Sequence, residues 1–403
     1  MAVHVVKEAR RCLQCKKPMC MKGCPVSTPI PEMIKLFLEG KSDEAGKALF
    51  ENNPLSVVCA LVCDHDAQCE GHCIQGRKGT PIHWSSIENY ISDAYLDKAE
   101  LVSAPKKNIR AAIIGSGPAG ITIAVILAQR GYDITLFDSR DKIGGVLRYG
   151  IPDFRLPKTI LDRYRNKLES LGVKIRPNTT IGGSITVDDL LRDDYKAIFI
   201  GTGVWRPFVL GVKGESLGNV HYALNYLVNP DVYRLGDRVS IIGAGNAAMD
   251  VARTAVRHGS RQVSVLVRGM KAAASEREVE YAMADGVQFI YGVDTQEITE
   301  QGAIVLHRNF DEEGNYVSDG ETELIESDSV IIAIGQGPKD KIVNTTSGIE
   351  TSDRGLVVTD ESGRTTHEAV FASGDVTSGA RTVVEAVKYS KEVADAMDKY
   401  MQK

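Results

Sequence analysis

The stretch IRAAIIGSGPAGITIAVILAQRGYDITLFD, residues 109–138, decides the fold. A short apolar run goes straight into GSGPAG (Gly115–Gly120), an apolar helix follows to about Arg130, and a second strand, DITLFD, ends on Asp138. Strand, glycine turn, helix and strand in that order make a βαβ unit. Gly115, Gly117 and Gly120 let the backbone turn and approach a pyrophosphate at the N-terminus of the helix that Pro118 and Ala119 open, and the acid about 20 positions on meets ribose hydroxyls. A glycine turn serving only helix-to-strand packing has no need of Asp138, so the stretch reads as a dinucleotide site.

The same order recurs in RVSIIGAGNAAMDVARTAVRHGSRQVSVLVRG, with Gly243, Gly245, Asn246 and Ala247 in the turn. Its second strand ends on Arg268 instead of an acid, and an arginine there suits the 2′-phosphate of NADPH better than the free hydroxyl of NADH. Further apolar strands end at Gly203 (AIFIGTG) and beside Gly335 (VIIAIGQGP). AVFASGDV brings Gly374 and Asp375 to a strand end, just ahead of a helix that opens near Thr382. A glycine-aspartate pair so placed can aim a carboxylate at a ribityl chain and a helix N-terminus at a phosphate.

The second fingerprint lies between the first and Gly374-Asp375, so one domain interrupts the other. The expected architecture is α/β: a helical domain over 1–104, ending near Pro105, then two Rossmann-like domains, one over 105–234 with 328–403 and the other inserted at 235–327. Ala303 to Leu324, alternating around DEEGN, reads as a hairpin within the insertion.

All eight cysteines fall in the first quarter of the chain. CLQCKKPMCMKGCP (Cys12–Pro25) has the spacing C-x2-C-x4-C-x3-C-P, and CALVCDHDAQCEGHC (Cys59–Cys73) holds the other four. The first run is close to the bacterial ferredoxin form, in which the cysteine before proline serves a second cluster. By that logic Cys24 belongs elsewhere than Cys12, Cys15 and Cys20, and Cys59–Cys73 folds back to complete both groups. Zinc is the competing reading, but four-thiolate zinc sites usually join two short pairs and only one C-x2-C occurs.

A net charge of −5 with no basic stripe argues against nucleic acid as a partner. The N-terminus lacks an apolar signal core, and the most apolar run, ITIAVILA, is too short to span a bilayer. A cytoplasmic protein is expected, and reduced thiols there point to metal chemistry.

The eight cysteines, CEGHCIQGRKGTPIHWSSIENY, GSGPAG, GGVLRYGIPDFRLPK (Gly144–Lys158), GAGNAAMD and VFASGDV together resemble the family of the glutamate synthase small (beta) subunit. Its relatives include the large subunit of the NADH-dependent ferredoxin:NADP oxidoreductase and the N-terminal half of dihydropyrimidine dehydrogenase. The resemblance implies a helical domain with two [4Fe-4S] clusters, an FAD domain and an inserted NADPH or NADH domain. It implies one cluster on Cys12, Cys15, Cys20 and Cys73, and another on Cys24, Cys63 and Cys69 with Glu88 as the non-cysteine ligand, Cys59 being a neighbour. Counting thiols alone would give Cys59 that place. Gly145 and Arg148, in the loop expected over the flavin, join the FAD residues. Asp64, where relatives often have proline, and Gly269, where they often have a second arginine, depart from the pattern.

The resemblance further implies an NAD(P)H-oxidising electron-input subunit, with an electron-bifurcating subunit or the input partner of a dihydropyrimidine dehydrogenase as alternatives. A non-catalytic assembly subunit fits poorly with two intact fingerprints. The chain has no redox cysteine pair past Cys73, so electrons are expected to leave through the clusters, to a partner protein carrying a further flavin or iron-sulfur site or to ferredoxin.

Overall fold

Prolines and cysteine loops cut the first hundred residues into short helices. In the structure, a computed structural model that describes residues 4–403, these are α1 (Val5–Arg10), α2 (Met19–Gly23), α3 (Ile30–Leu38), α4 (Ser42–Asn52), α5 (Ser56–Val62) and α6 (Trp84–Lys98). Pro18 precedes α2, and Pro29 and Pro31 sit at the start of α3. Ile30, Met33, Ile34 and Phe37 recur at helical spacing along α3 and bury against Leu49, Trp84, Ile87 and Ile91. Glu88 is four residues past Trp84, which turns its carboxylate onto the same buried face.

The chain continues through β1 (Arg110–Ile114), α7 (Pro118–Gln129), β2 (Asp133–Phe137), α8 (Val146–Tyr149), α9 (Lys158–Ser170), β3 (Lys174–Arg176), α10 (Val187–Arg192) and β4 (Tyr195–Ile200). Next come β5 (Arg206–Pro207), β6 (Val220–Tyr222), α11 (Ala223–Val228), β7 (Arg238–Ile242), α12 (Asn246–Arg257), β8 (Gln262–Val267), α13 (Glu276–Ala284) and β9 (Gln288–Tyr291). The rest is β10 (Val293–Thr299), β11 (Gly302–Phe310), β12 (Tyr316–Glu326), β13 (Ser329–Ile332), β14 (Gln336–Gly337), α14 (Lys341–Asn344), β15 (Val370–Ala372), α15 (Asp375–Ser378) and α16 (Val383–Met401).

Two compact units result. One comprises Met1–Leu147, Asp153–Val204 and Pro338–Lys403, the other Trp205–Gly337 with the short Arg148–Pro152 segment. In the first, a wholly parallel sheet has the order β15-β4-β1-β2-β3. Helix α7 is apolar nearly all round and buried along most of its length, as a helix packed between sheet and neighbours must be.

In the second unit a parallel sheet of order β6-β13-β7-β8-β9 carries the second fingerprint, and β10-β11-β12 form an antiparallel meander. The expected hairpin is β11 and β12, turning through Asp311–Asn315. The inserted unit is wider than the expected 235–327. Strand β6 pairs with β13, Val220 opposite Val330, and β5 pairs with β14, so the residues from Trp205 to Leu235 belong to the insertion. Three half-buried residues in β6 leave no alternation for a sequence pattern to catch. Among the described residues no helix is long and apolar enough to cross a membrane.

Candidate cofactor sites

The turn between β1 and α7 shows which glycines the protein itself requires. Gly115 has φ +99°, and a Cβ there would overlap the Gly201 carbonyl; a Cβ on Gly120 would overlap the Gly115 carbonyl. Gly117 is different. Its φ of −73° suits any residue, and a Cβ would meet nothing nearer than the Gly145 Cα, at 3.9 Å. No packing contact demands glycine there, and the space over the α7 N-terminus is open, as a pyrophosphate approaching the helix would need.

Asp138 closes this turn from the end of β2. Its Oδ2 accepts from the Ser116 backbone N–H at 2.8 Å and from the Ser116 hydroxyl, and its Oδ1 accepts from the Arg140 N–H at 2.8 Å. The carboxylate thus shapes the loop. Ser116, fully buried and also holding the Gly144 N–H, was missed by sequence reasoning; a serine between two fingerprint glycines, with an acid ending the next strand, was its signal.

At the end of β15, Gly374 has φ +78° and its Cβ position lies 3.2 Å from Ala119 Cβ, which brings α15 onto the first fingerprint. Burial pushes the Asp375 carboxyl up to about 6, and one N–H, from Arg381, relieves it in part. Thr382 caps α16 with a reciprocal capping box between its hydroxyl and Glu385. Gly203 takes φ +68° after β4, Gly145 takes φ +51° against Gly117, and Arg148 groups with the inserted unit.

In the inserted unit the logic of the turn repeats. Gly243 has φ +108° and a Cβ would come within 2.5 Å of the Ala333 carbonyl oxygen, whereas Gly245 has φ −84° and its Cβ would meet nothing within 4 Å. The N-terminus of α12, a helix of twelve residues, again opens on unfilled space. Asn246 Oδ1 accepts from the Ser275 N–H and so ties this turn to the start of α13, with Ala247 beside it in the first turn of α12. Arg268, well exposed past β8, pairs with Asp294 at 3.5 Å. Gly335, φ +106°, lies under the Phe208 ring.

The thiols fall into two groups. Burial raises Cys12 and, to about 11, Cys20, and each of the two also feels Cys15 and Cys73, so these four surround one space. Cys24 and Cys69 are likewise raised by burial, and Cys63 by its hydrogen bond with Cys59 and by burial; all three feel Glu88. The loops meet because Gly23 lies against the His72 ring and the Gln68 carbonyl, where any Cβ would clash. Cys59 is fully enclosed and hydrogen-bonded to Cys63 and the Asn53 side chain.

Glu88 is 5% exposed, and burial raises its carboxyl far above the usual range. The groups acting on it are Cys59, the Trp84 indole N–H and Glu70, company that leaves a buried carboxylate in want of a cation. Among the described residues no three such side chains close on one point as ligands of a single ion do. Four thiolates on one zinc would stand only ~4 Å apart, whereas a four-iron cube takes its ligands at its corners, farther from one another.

Comparison with known proteins decides the family. A glutamate synthase small chain from Halomonas elongata is 34% identical, the match covering 98% of this chain and 90% of the relative. The chain belongs to the glutamate synthase small-chain family. A dihydropyrimidine dehydrogenase subunit, PreT, of Salmonella typhimurium is 31% identical across 98% of this chain and 94% of its own. The family model of dihydropyrimidine dehydrogenase domain II, a 4Fe-4S cluster domain, matches residues 2–100, and that of pyridine nucleotide-disulphide oxidoreductases matches 79–192 and 112–390. Mycobacterium tuberculosis FprA in complex with NADPH shares the fold at a TM-score of 0.61 and 18% identity, over 73% of this chain and 85% of that one.

Like the rest of the family, this protein is an oxidoreductase. Three positioning residues escaped sequence reasoning. Glu8 Oε1 accepts from the His83 N–H at 2.9 Å and Glu70 Oε1 from the Ser85 N–H at 2.7 Å, so two carboxylates anchor the start of α6, the helix that bears Glu88. Lys391 on α16 donates to the Asn52 carbonyl at 2.6 Å and lies near enough to Cys24 to feel its charge. Nothing local in the sequence joins residues so far apart.

Proposed function

We propose that the protein oxidises NADPH or NADH, passing a hydride to FAD and then single electrons through two [4Fe-4S] clusters to a separate partner protein, as a glutamate synthase small-chain type of electron-input subunit. FAD and the clusters supply the two-electron to one-electron conversion when bound. The chain's own residues bind and orient. Gly117 and the α7 N-terminus take the FAD pyrophosphate, Asp138 the ribose and Asp375 the ribityl chain. Gly245 and the α12 N-terminus take the nicotinamide nucleotide's pyrophosphate. Arg268 exchanges Asp294 for a 2′-phosphate.

The observation that carries this reading is the division of the thiols: Cys12, Cys15, Cys20 and Cys73 around one space, Cys24, Cys63 and Cys69 with Glu88 around another. The second group lies toward the flavin domain, since Lys391 of α16 feels Cys24 and Tyr164 of α9 feels Cys59. The order of electron passage is therefore flavin, second group, first group. A cytoplasmic setting keeps the thiols reduced.

Anaerobically purified protein should contain about eight irons and one FAD per chain and bleach with NADPH or NADH. Zinc in place of iron, or a flavin that neither nucleotide reduces, refutes the proposal.

A further inference from the structure

The loops around the first thiol group carry a charge unlike the rest of the chain. Residues 9–31 and 71–83 hold seven lysines and arginines and no aspartate or glutamate, in a protein whose net charge is −5. Lys16, Lys17, Arg77 and Lys78 are exposed, and none of them is in an ion pair with a described residue. Arg11, by contrast, is held by Glu8.

Among these cations sit three exposed apolar side chains. Leu13 is 61% exposed, Met19 40% and Ile74 44%. Each adjoins a thiol of the first group in sequence, next to Cys12, Cys20 and Cys73. The two loops are one surface, because Gln75 donates from its side chain to the Arg11 carbonyl at 2.8 Å and Arg11 reaches Thr80. Leu38, at 40%, and Tyr90, at 55%, are also exposed in the helical domain, but they lie on α3 and α6 and adjoin no thiol in sequence.

We infer that this apolar, lysine- and arginine-rimmed face around Cys12, Cys15, Cys20 and Cys73 is the docking surface for a redox protein with an acidic rim. An apolar centre with a charged border is how interfaces between proteins are built, the border steering approach and the centre holding contact. With Lys16, Lys17, Arg77 and Lys78 exposed and no acid in these loops, this border rejects a basic partner and draws an acidic one. The surface lies at the end of the thiol series remote from α9 and α16, where an electron would leave. This inference rests on the proposed function for its purpose, but docking itself can be measured without turnover.

The probe is a small acidic plant-type ferredoxin, with lysine-rich cytochrome c as the control. Binding of the fluorescently labelled oxidised ferredoxin to the cluster-loaded protein is followed by anisotropy at low and at physiological ionic strength. Two variants are compared, Lys16→Glu with Lys17→Glu, and Arg77→Glu with Lys78→Glu; the second lies off the loop of Cys12, Cys15 and Cys20. Iron content and bleaching by NAD(P)H are read in parallel for each protein.

Ferredoxin should bind more tightly than cytochrome c at low ionic strength, weaken with salt, and lose about tenfold or more in affinity with either double reversal. Iron content and bleaching should stay at the unsubstituted level. Equal affinity for the two probes, or ferredoxin binding that both reversals leave alone, overturns the inference. Unsubstituted protein that binds ferredoxin in this charge-dependent way yet is not bleached by NAD(P)H would instead sink the proposed function and leave the docking surface standing.

Discussion

Gly243 and Gly245 stand two residues apart in one turn, and replacing each by alanine should have opposite consequences. At Gly243 a methyl enters at φ +108° and meets the Ala333 carbonyl oxygen at 2.5 Å. A non-glycine residue so placed costs roughly 1–3 kcal/mol in backbone strain, and the carbonyl belongs to the chain just past β13, which cannot move without disturbing the sheet. A total of about 2–4 kcal/mol lowers the unfolding midpoint of the inserted domain by roughly 5–15 °C. At Gly245 the backbone already suits alanine, and the methyl meets nothing within 4 Å. That change is neutral or stabilises by about 0.4–1 kcal/mol through the unfolded chain. The methyl, however, fills the place where a pyrophosphate must approach the helix, so NAD(P)H affinity should fall at least about tenfold, or ~1.4 kcal/mol. Scanning calorimetry and nucleotide titration of the two variants read both quantities. A Gly245→Ala protein that binds NADPH and NADH as tightly as the unsubstituted protein would refute the claim that this glycine is reserved for a ligand.

Cys59→Ala should retain about eight irons, whereas Glu88→Ala should lose the second cluster and about half the iron, as metal analysis and low-temperature EPR will show. Equal losses would mean that Cys59 is a ligand after all. In flavin-free protein the Asp375 carboxyl, raised to about 6, keeps in the native state a proton that the unfolded chain releases from about pH 4 upward. Its contribution to stability is therefore full below that range and lost as pH rises through about 6, so Asp375→Asn should gain about 2–3 kcal/mol over the unsubstituted protein between pH 4 and 7 in denaturant titrations. Arg268→Ala should raise the KM for NADPH about tenfold and leave that for NADH unchanged; steady-state kinetics with a dye acceptor would decide, and equal effects on both would place Arg268 outside the nucleotide site.

Sequence patterns made the two glycine fingerprints and the β11–β12 hairpin legible, because each rests on local rules of spacing, alternation or backbone freedom. What they hid depends on distant residues. The base of the insertion is drawn by β5 and β6, strands of two and three residues that gain their identity only from β14 and β13. Thr382 reads as a cofactor contact, and only the fold shows that its hydroxyl is also shared with Glu385 in a capping box. Asp138 reads as a ribose ligand, and only the fold shows that Ser116 and Arg140 already donate to it. Glu8, Glu70 and Lys391 act across gaps that no motif spans.

The anchoring of α6 bears on how the protein is matured. The helix that carries Glu88 is fixed by the Glu8 and Glu70 carboxylates and by Trp84, Ile87 and Ile91 in an apolar core. Side chains of the polypeptide thus help to set its position, where in a zinc finger the metal carries most of that task. In the proposed two-cluster protein, α6 so anchored would hold Glu88 at one place in the helical domain while iron and sulfide are delivered.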